Sequence, residues 1–192
     1  MKINNLYKRF GEKRIFNGES FDFADGKVNY ILGESGIGKT TLLRIIAGLD
    51  KSFKGEFVDV SDKISYVFQE PRLFPNLTVE ENIKIVSEES HHSITDILKI
   101  LELENEIYAL PSSLSGGMKM RVALARAIYS DGELYLMDEP FGALDEDLKA
   151  RILPQIFNLL KGKTVIIISH NLEEANLYSD NIINFNTILN QI

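Results

Sequence analysis

The stretch that decides the fold is VNYILGESGIGKTTLLRIIA, residues 28–47. Its first five residues, apolar except for Asn29, predict a strand that runs directly into the glycines that follow. Residues 41–47 have the apolar spacing of a helix, which Gly48 can end. A strand, a glycine-rich loop and a helix therefore follow one another directly, an order that is typical of α/β proteins.

The loop of this stretch, GESGIGKT at residues 33–40, has the composition of a phosphate-binding loop. Its glycines let backbone N–H groups close around phosphate oxygens, Lys39 can reach the terminal phosphates, and the Thr40 hydroxyl can ligate Mg²⁺. The loop therefore predicts a nucleotide such as ATP, bound with Mg²⁺, but leaves the reaction open. The candidate binding residues are Gly33, Glu34, Ser35, Gly36, Ile37, Gly38, Lys39, Thr40 and Thr41.

Further strands are predicted by short apolar runs at residues 64–68, 134–137, 165–169 and 181–185. The run that begins at Val165 is apolar throughout, which indicates a sheet covered on both faces. The segment from about residue 70 to 112 instead has helical spacing and contains a capping-box pattern from Thr78 to Glu81. We therefore predict one domain over 1–192, with a core formed by 1–69 and 113–192 and an inserted helical subdomain at about 70–112.

Two carboxylates, Asp138 and Glu139, follow the strand predicted at residues 134–137. Two acidic groups at the end of a strand seldom contribute to packing. Because the chain also contains a phosphate-binding loop, we interpret them as part of a nucleotide site. Asp138 is suited to hold Mg²⁺, and Glu139 to polarise the water that attacks a γ-phosphate.

Ser115, Gly116 and Gly117 precede a stretch with helical spacing. A hydroxyl and free N–H groups at the positive end of a helix form a second anion site. One ATP does not need two phosphate cradles in a single chain. We therefore expect this site to contact the nucleotide that is bound to a partner chain.

The composition narrows the function further. A chain of 192 residues, 44% of them hydrophobic, can bury one substantial core. The formal net charge of −7 argues against a nucleic-acid partner, since binding DNA or RNA requires neutralising phosphates. Cysteine is absent, so thiolate metal sites and disulfides are excluded. No apolar run approaches the about 20 residues that span a bilayer, and the first five residues, MKINN, do not begin the apolar segment of a secretory signal.

These segments, in this order, resemble the ABC ATPase family, and the resemblance covers nearly the whole chain. Residues 33–40 are similar to its Walker A motif, residues 114–118 to its signature sequence, and Asp138 with Glu139 to the end of Walker B. Residues 143–145 resemble its D-loop, which touches the opposing subunit. Met118 stands where glutamine is commoner in the family.

The resemblance also assigns residues that would be unremarkable alone. Gln69 matches the Q-loop glutamine, which implies a role in sensing Mg²⁺ and the γ-phosphate, and His170 matches the switch histidine. Phe10 falls where the family places an aromatic ring against adenine, with Tyr7 as a competing candidate. The implied catalytic residues are Glu139, His170, Lys39 and Gln69; the implied metal ligands are Thr40, Gln69 and Asp138; Phe10, Ser115, Gly116 and Gly117 complete the ATP-binding set.

The fold implied is the ABC ATPase fold: a P-loop core with a mainly parallel sheet flanked by helices, antiparallel N-terminal β elements and an inserted helical subdomain. The implied partners are a second copy, or a related ATPase subunit, in an ATP-dependent head-to-tail pair, and integral membrane permease subunits. The chain would then lie peripherally on the cytoplasmic side of the cell membrane and be soluble when isolated. Residues 68–79 look most like bacterial importer ATPases of the nitrate, sulfonate and taurine type.

Two other functions stay open at this point. An ABC ATPase can also drive a non-transport membrane complex, such as one for cell-wall remodelling or lipoprotein release, and the copurifying membrane protein distinguishes the two. A P-loop kinase for a small molecule would need no dimer. That reading leaves Ser115, Gly116, Gly117 and His170 without a task.

Overall fold

The computed structural model describes residues 1–87 and 90–189. Within these ranges the chain forms a three-stranded antiparallel sheet and a five-stranded parallel sheet, with helices on both faces of the parallel one. The predicted α/β fold, with its mainly parallel sheet and its antiparallel N-terminal β elements, is confirmed.

The strands are β1 (Lys2–Phe10), β2 (Lys13–Asp22), β3 (Val28–Leu32), β4 (Lys54–Val58), β5 (Ile64–Val67), β6 (Leu134–Asp138), β7 (Thr164–Ile168) and β8 (Asn181–Asn184). The α-helices are α1 (Lys39–Ile46), α2 (Val79–Lys84), α3 (Ile94–Ile100), α4 (Gly116–Tyr129), α5 (Glu146–Leu159), α6 (Leu172–Tyr178) and α7 (Phe185–Leu189). Short 3₁₀ turns occupy Glu104–Glu106 and Pro111–Ser113. In the part of the chain that is described, no helix has both the length and the apolar character needed to cross a membrane.

The parallel sheet has the strand order β5-β6-β7-β3-β8, and each neighbouring pair is parallel. The carboxyl ends of all five strands therefore lie at one edge. Ligands of such sheets bind at this edge, where the loops that leave the strands gather. Here those loops carry the glycine-rich segment, Gln69, Glu139 and His170.

The strand β7 shows how the sheet is buried on both faces. Val165 and Ile167 join a cluster with α4 and α5, whereas Ile166 and Ile168 join a cluster with α1 and the antiparallel sheet. This division follows from the alternation of side chains along a strand. An apolar residue is therefore needed at every position, as the sequence predicted.

Several strand ends differ from the predicted ones. Residues 68 and 169 leave their strands because the chain turns there towards the loops of the carboxyl edge. Asp138 instead lies inside β6, where it pairs with Ile168 of β7. Phe185 is not the end of β8 but opens α7. The helix α1 begins at Lys39, two residues before the predicted start.

The segment at about 70–112 carries α2, α3 and the two 3₁₀ turns, and its described residues contain no strand. The capping box at Thr78 is formed, with the Glu81 side chain reaching back to the N-cap backbone. The helices α2 and α3 pack against α4, and their apolar side chains share one cluster with the parallel sheet. The subdomain boundaries at 69/70 and 112/113 stay a prediction.

Candidate functional site

The glycine-rich loop joins β3 to α1 in a backbone conformation that requires glycine. Gly38 has a φ of 118°, and a Cβ there would lie 2.7 Å from Cγ2 of Ile15. As the N-cap of α1, Gly38 offers no side-chain hydrogen bond, and the first turn of the helix contains no acidic residue. The first N–H groups of α1 are therefore left for a ligand, and the helix dipole favours an anion.

Lys39 folds back into this loop. Its Nζ donates hydrogen bonds to the carbonyl oxygens of Gly33 and Glu34 at 2.6 and 2.7 Å. Burial lowers the pKa of the ammonium, an effect that the charges of Glu139 and Asp138 oppose. The lysine is thus held within the loop, facing the two carboxylates at the end of β6.

The outer side of the loop is anchored by α7. The backbone N–H of Glu34 donates to Oδ1 of Asn186 at 3.2 Å, and a Cβ on Gly33 would lie 2.9 Å from Cβ of Phe185. Ile37 packs into the cluster beneath the loop. Glu34, Gly33 and Ile37 therefore shape the loop. The sequence did not single out Asn186 because nothing local links it to a loop 150 residues earlier.

A cavity of about 150 Å³ lies inside the loop. Its lining joins the loop to the ends of β5 and β6: Ile15, Ser35, Gly36, Gly38, Lys39, Thr40, Thr41, Gln69, Asp138, Glu139 and Ile168. Residues from distant parts of the sequence that were predicted to bind phosphate and metal thus face one space. Ile15 and Ile168 are the lining residues that the sequence reasoning missed, since an isoleucine within a strand gives no signal of a binding role.

Thr40, Gln69 and Asp138 offer oxygen atoms to this cavity, and the Thr40 hydroxyl hydrogen-bonds to the Asp138 carboxylate. Burial raises the pKa of Asp138, the hydrogen bond from Thr40 lowers it, and the nearby Glu139 raises it. A hydroxyl, an amide and a carboxylate are hard oxygen donors of the kind that Mg²⁺ prefers when substrate phosphates supply further ligands. The residues therefore fit Mg²⁺.

Glu139 lines this cavity, whereas His170 lies beside Glu139 without belonging to the lining. Glu139 has a φ of 50°, a left-handed conformation that non-glycine residues seldom adopt, and its N–H donates to the carbonyl of Ile168 at 3.0 Å. Nδ1 of His170 lies 3.7 Å from Oε2 of Glu139, and the histidine side chain is 71% exposed. Both residues also line an adjacent, larger cavity of about 470 Å³.

The predicted second anion site lies apart from this cavity. Ser115 is the N-cap of α4 and accepts a hydrogen bond from the N–H of Met118 at 3.2 Å. Ser115 and Gly116 are exposed, and a Cβ on Gly117 would lie 3.0 Å from the carbonyl oxygen of Ala143. None of the three belongs to the lining given above. The structure therefore does not bring them to the nucleotide site of their own chain.

Phe10 also lies outside that lining. Its ring is exposed, and the Lys8 ammonium lies 4.5 Å from the ring centroid while it pairs with Asp50 at 2.7 Å. The competing Tyr7 ring instead covers Gly18 of β2, with its hydroxyl 2.8 Å from where a Cβ would be.

Replacing Phe10 by alanine is expected to weaken ATP binding by about fivefold, because aromatic stacking contributes about 1 kcal/mol. Inorganic tripolyphosphate lacks the base, so the variant and the parent chain should bind it equally. Titration calorimetry with both ligands measures the difference. Tyr7→Ala is the matched control; if that variant loses ATP affinity and Phe10→Ala does not, Tyr7 is the stacking residue.

The comparisons with known proteins agree with this geometry. Residues 16–142 match the family described as ABC transporter. An aliphatic sulfonates import ATP-binding protein of Pseudomonas syringae is 35% identical over 187 residues, covering 95% of this chain and 79% of the relative. An Fe(3+) ions import ATP-binding protein of Fusobacterium nucleatum is 38% identical over 202 residues, covering 95% of this chain and 54% of the relative.

Among solved structures, a dimeric ATP-binding cassette in a post-hydrolysis state, bound to ADP and phosphate, superimposes with a TM-score of 0.84. It shares 30% sequence identity, and the match covers 95% of this chain and 93% of that one. Both the sequence and the arrangement of elements are thus those of a known class of nucleotide-hydrolysing protein.

Proposed function

The chain belongs to the ABC transporter family as an ATP-binding, ATP-hydrolysing subunit, and from this premise we propose that it powers the import of a small organic anion, of the aliphatic sulfonate class, through separate membrane subunits. The sulfonate-importing relative supports the cargo class. The observation that carries the proposed mechanism is the separation of two half-sites. Lys39, Thr40 and Asp138 line one cavity, while the exposed N-terminus of α4 at Ser115 lies outside it. The cavity lacks the N-terminus of α4, and the N-terminus of α4 lacks the lysine and the metal-binding oxygens of the cavity.

In the proposed pair, two copies face each other head to tail. The N–H groups at the start of α1 and the Lys39 ammonium bind the phosphates of one ATP, and Ser115 and Gly117 of the second copy contact the same ATP from the other side. A related ATPase subunit could take the place of the second copy. The dimeric cassette that resembles this chain supports pairing of this kind.

The hydrolysis step is assigned to the carboxyl edge of the sheet. Glu139 accepts a proton from the water whose oxygen attacks the γ-phosphorus, the bond to the β–γ bridging oxygen breaks, and ADP and phosphate result. His170, which faces Glu139, orients the water and the γ-phosphate. Thr40, Asp138 and Gln69 would hold Mg²⁺, which supplies charge neutralisation to the phosphates. Loss of the γ-phosphate removes a bridge between the copies, so the pair opens.

The surface proposed for the membrane subunits is formed by Phe74, Tyr108 and Leu110, which we term the docking patch. All three are exposed apolar side chains. The buried Asn82 of α2 hydrogen-bonds to both the N–H and the carbonyl of Phe74, and the N–H of Val79 donates to the carbonyl of residue 109. The start of α2 therefore holds both parts of the patch together.

The docking patch is also tied to the nucleotide site. The Arg126 guanidinium of α4 donates to the carbonyl oxygens of Pro71 and Arg72 at 3.0 and 3.1 Å, two and three residues after Gln69. Since Ser115 is the N-cap of α4, this helix joins the second anion site to the segment between Gln69 and Phe74. Closure of the pair would thereby move the patch. In the proposed assembly the chain lies peripherally on the cytoplasmic face of the membrane, where the patch meets the membrane subunits.

Replacing Tyr108, which is 77% exposed, by aspartate is expected to abolish copurification of the membrane subunits from detergent-solubilised native membranes. Burying a charge in an apolar contact of this kind weakens binding by about 30-fold or more. Cells that carry the Tyr108→Asp variant should not grow with an alkanesulfonate as the only sulfur source. Leu177→Asp is the matched control, since Leu177 is 76% exposed on α6, outside the segment of the chain that carries the patch.

Other outcomes of this experiment assign a different role. Growth that fails only under iron limitation would indicate a metal-ion cargo, as in the iron-importing relative. The non-transport complex would be favoured if the copurifying membrane protein has no transport pathway. Growth with an alkanesulfonate and growth under iron limitation should then both be unchanged. Copurification that survives Tyr108→Asp would contradict the docking patch.

A further inference from the structure

A carboxylate that the site described above does not use is buried next to His170. Glu174 of α6 is only 6% exposed. The Tyr30 hydroxyl of β3 donates to its Oε1 at 3.2 Å. Burial raises the pKa of Glu174, whereas the charge of Lys149 and the hydrogen bonds with Tyr30 and Ser169 lower it. A carboxyl group is costly to bury, so its place requires an explanation beyond packing.

Glu174 closes the loop that carries His170. The Ser169 hydroxyl hydrogen-bonds to the Glu174 carboxylate, and its Oγ accepts the N–H of Asn171 at 3.1 Å. Oδ1 of Asn171 in turn accepts the N–H of Glu174 at 3.0 Å. The residues on both sides of His170 are thus bound within one ring of hydrogen bonds. The imidazole itself stays exposed.

Lys149 connects this ring to the start of α5. Its Nζ lies 3.9 Å from Oε2 of Glu174 and 2.9 Å from Oε1 of Glu146, and its side chain is only 11% exposed. The helix α5 begins directly after Asp145, whose side chain caps it. Residues 143–145 are those that the resemblance places against the opposing subunit. A movement of this segment would therefore be transmitted through Lys149 to the His170 loop.

We propose that Glu174 is a positioning residue for hydrolysis. Its hydrogen bonds with Ser169 and Tyr30 hold His170 beside Glu139, and its charge contact with Lys149 couples the position of His170 to the start of α5. The inference rests on the proposed role of His170 in hydrolysis. It adds that the geometry of this histidine depends on a buried carboxylate and responds to the segment that meets the second copy.

The test compares Glu174→Gln with Glu173→Gln, the same change at an exposed position of the same helix. Glutamine preserves size and an acceptor for Tyr30 but removes the charge that faces Lys149. We expect kcat for ATP hydrolysis to fall by about 10- to 100-fold, because a misplacement of the order of 1 Å can slow a reaction by about 100-fold. KM for ATP and the melting temperature should stay at the parent values, as they should for Glu173→Gln.

A double-variant cycle separates positioning from general damage. In a chain that already carries His170→Ala, adding Glu174→Gln should cause no further loss of kcat, since Glu174 acts through the histidine. An equal loss in both backgrounds would overturn the inference. So would a Glu174→Gln variant that hydrolyses ATP like the parent while His170→Ala is slow.

Two further results keep the test decisive. If His170→Ala hydrolyses ATP at the parent rate, the proposed role of His170 fails, and this inference fails with it. If Glu174→Gln does not fold, Tyr30→Phe takes its place: it removes one hydrogen bond to Glu174 and keeps the ring. That variant should lower kcat by about three- to tenfold with KM unchanged, and a parent-like kcat would overturn the inference.

Discussion

Glu139→Gln is expected to lower ATP hydrolysis by about 100- to 10,000-fold, the range over which a general base accelerates proton transfer. The change keeps the size of the side chain and leaves the backbone hydrogen bond to Ile168 in place. Lys39 and the start of α1 are untouched, so ATP should bind as in the parent chain. Without hydrolysis, nothing removes the γ-phosphate that joins the two copies.

The variant should therefore run as a dimer on size-exclusion chromatography in ATP without Mg²⁺, and as a monomer in ADP. Glu133→Gln serves as the control, since this exposed carboxylate precedes the other end of β6 and pairs only with surface groups among the described residues. It should hydrolyse ATP normally. A Glu139→Gln chain that stays monomeric in ATP would contradict the proposed pair.

Ser115→Arg should lower ATP hydrolysis by about 100- to 1,000-fold, nearly as much as Glu139→Gln. The phosphates would lose their contact with the N-terminus of α4 of the second copy, because the large arginine side chain does not fit there. ATP binding by the isolated chain should not change, since Ser115 is absent from the lining of its own nucleotide cavity. Steady-state hydrolysis and nucleotide titration measure the two effects separately. Ser112→Arg, at an exposed serine shortly before α4, is the matched control.

Mixing tests whether the site is shared. A Ser115→Arg chain and a Lys39→Ala chain are each inactive alone, but their mixed dimer contains one composite site with intact Lys39 and intact Ser115. If chains pair at random and sites act independently, an equal mixture recovers about a quarter of the parent activity, since half of the dimers are mixed and each has one intact site of two. A mixture as inactive as its components would contradict the shared site.

The parallel strands and the phosphate-binding loop could be predicted from the sequence because their signals are local. An apolar run, a set of glycines and a lysine at a required offset lie within 20 residues, and hydrophobic periodicity reports burial at each position. The same holds for the capping box at Thr78. The strand ends were less accurate: residues 68, 138, 169 and 185 were assigned wrongly, since pairing with a neighbouring strand decides where a strand stops.

The sequence alone therefore determined the fold class, the phosphate-binding loop and the order of the polar residues along the chain, because each depends on a few neighbouring residues. Only the tertiary structure decided which of these residues meet. It brought Thr40 against Asp138 and His170 to 3.7 Å from Glu139, kept Ser115 outside the cavity, and joined Tyr30, Lys149 and Glu174. Such contacts depend on strand order and helix packing, which bring together residues that are far apart in the sequence, such as Tyr30 and Glu174, which are separated by 144 positions.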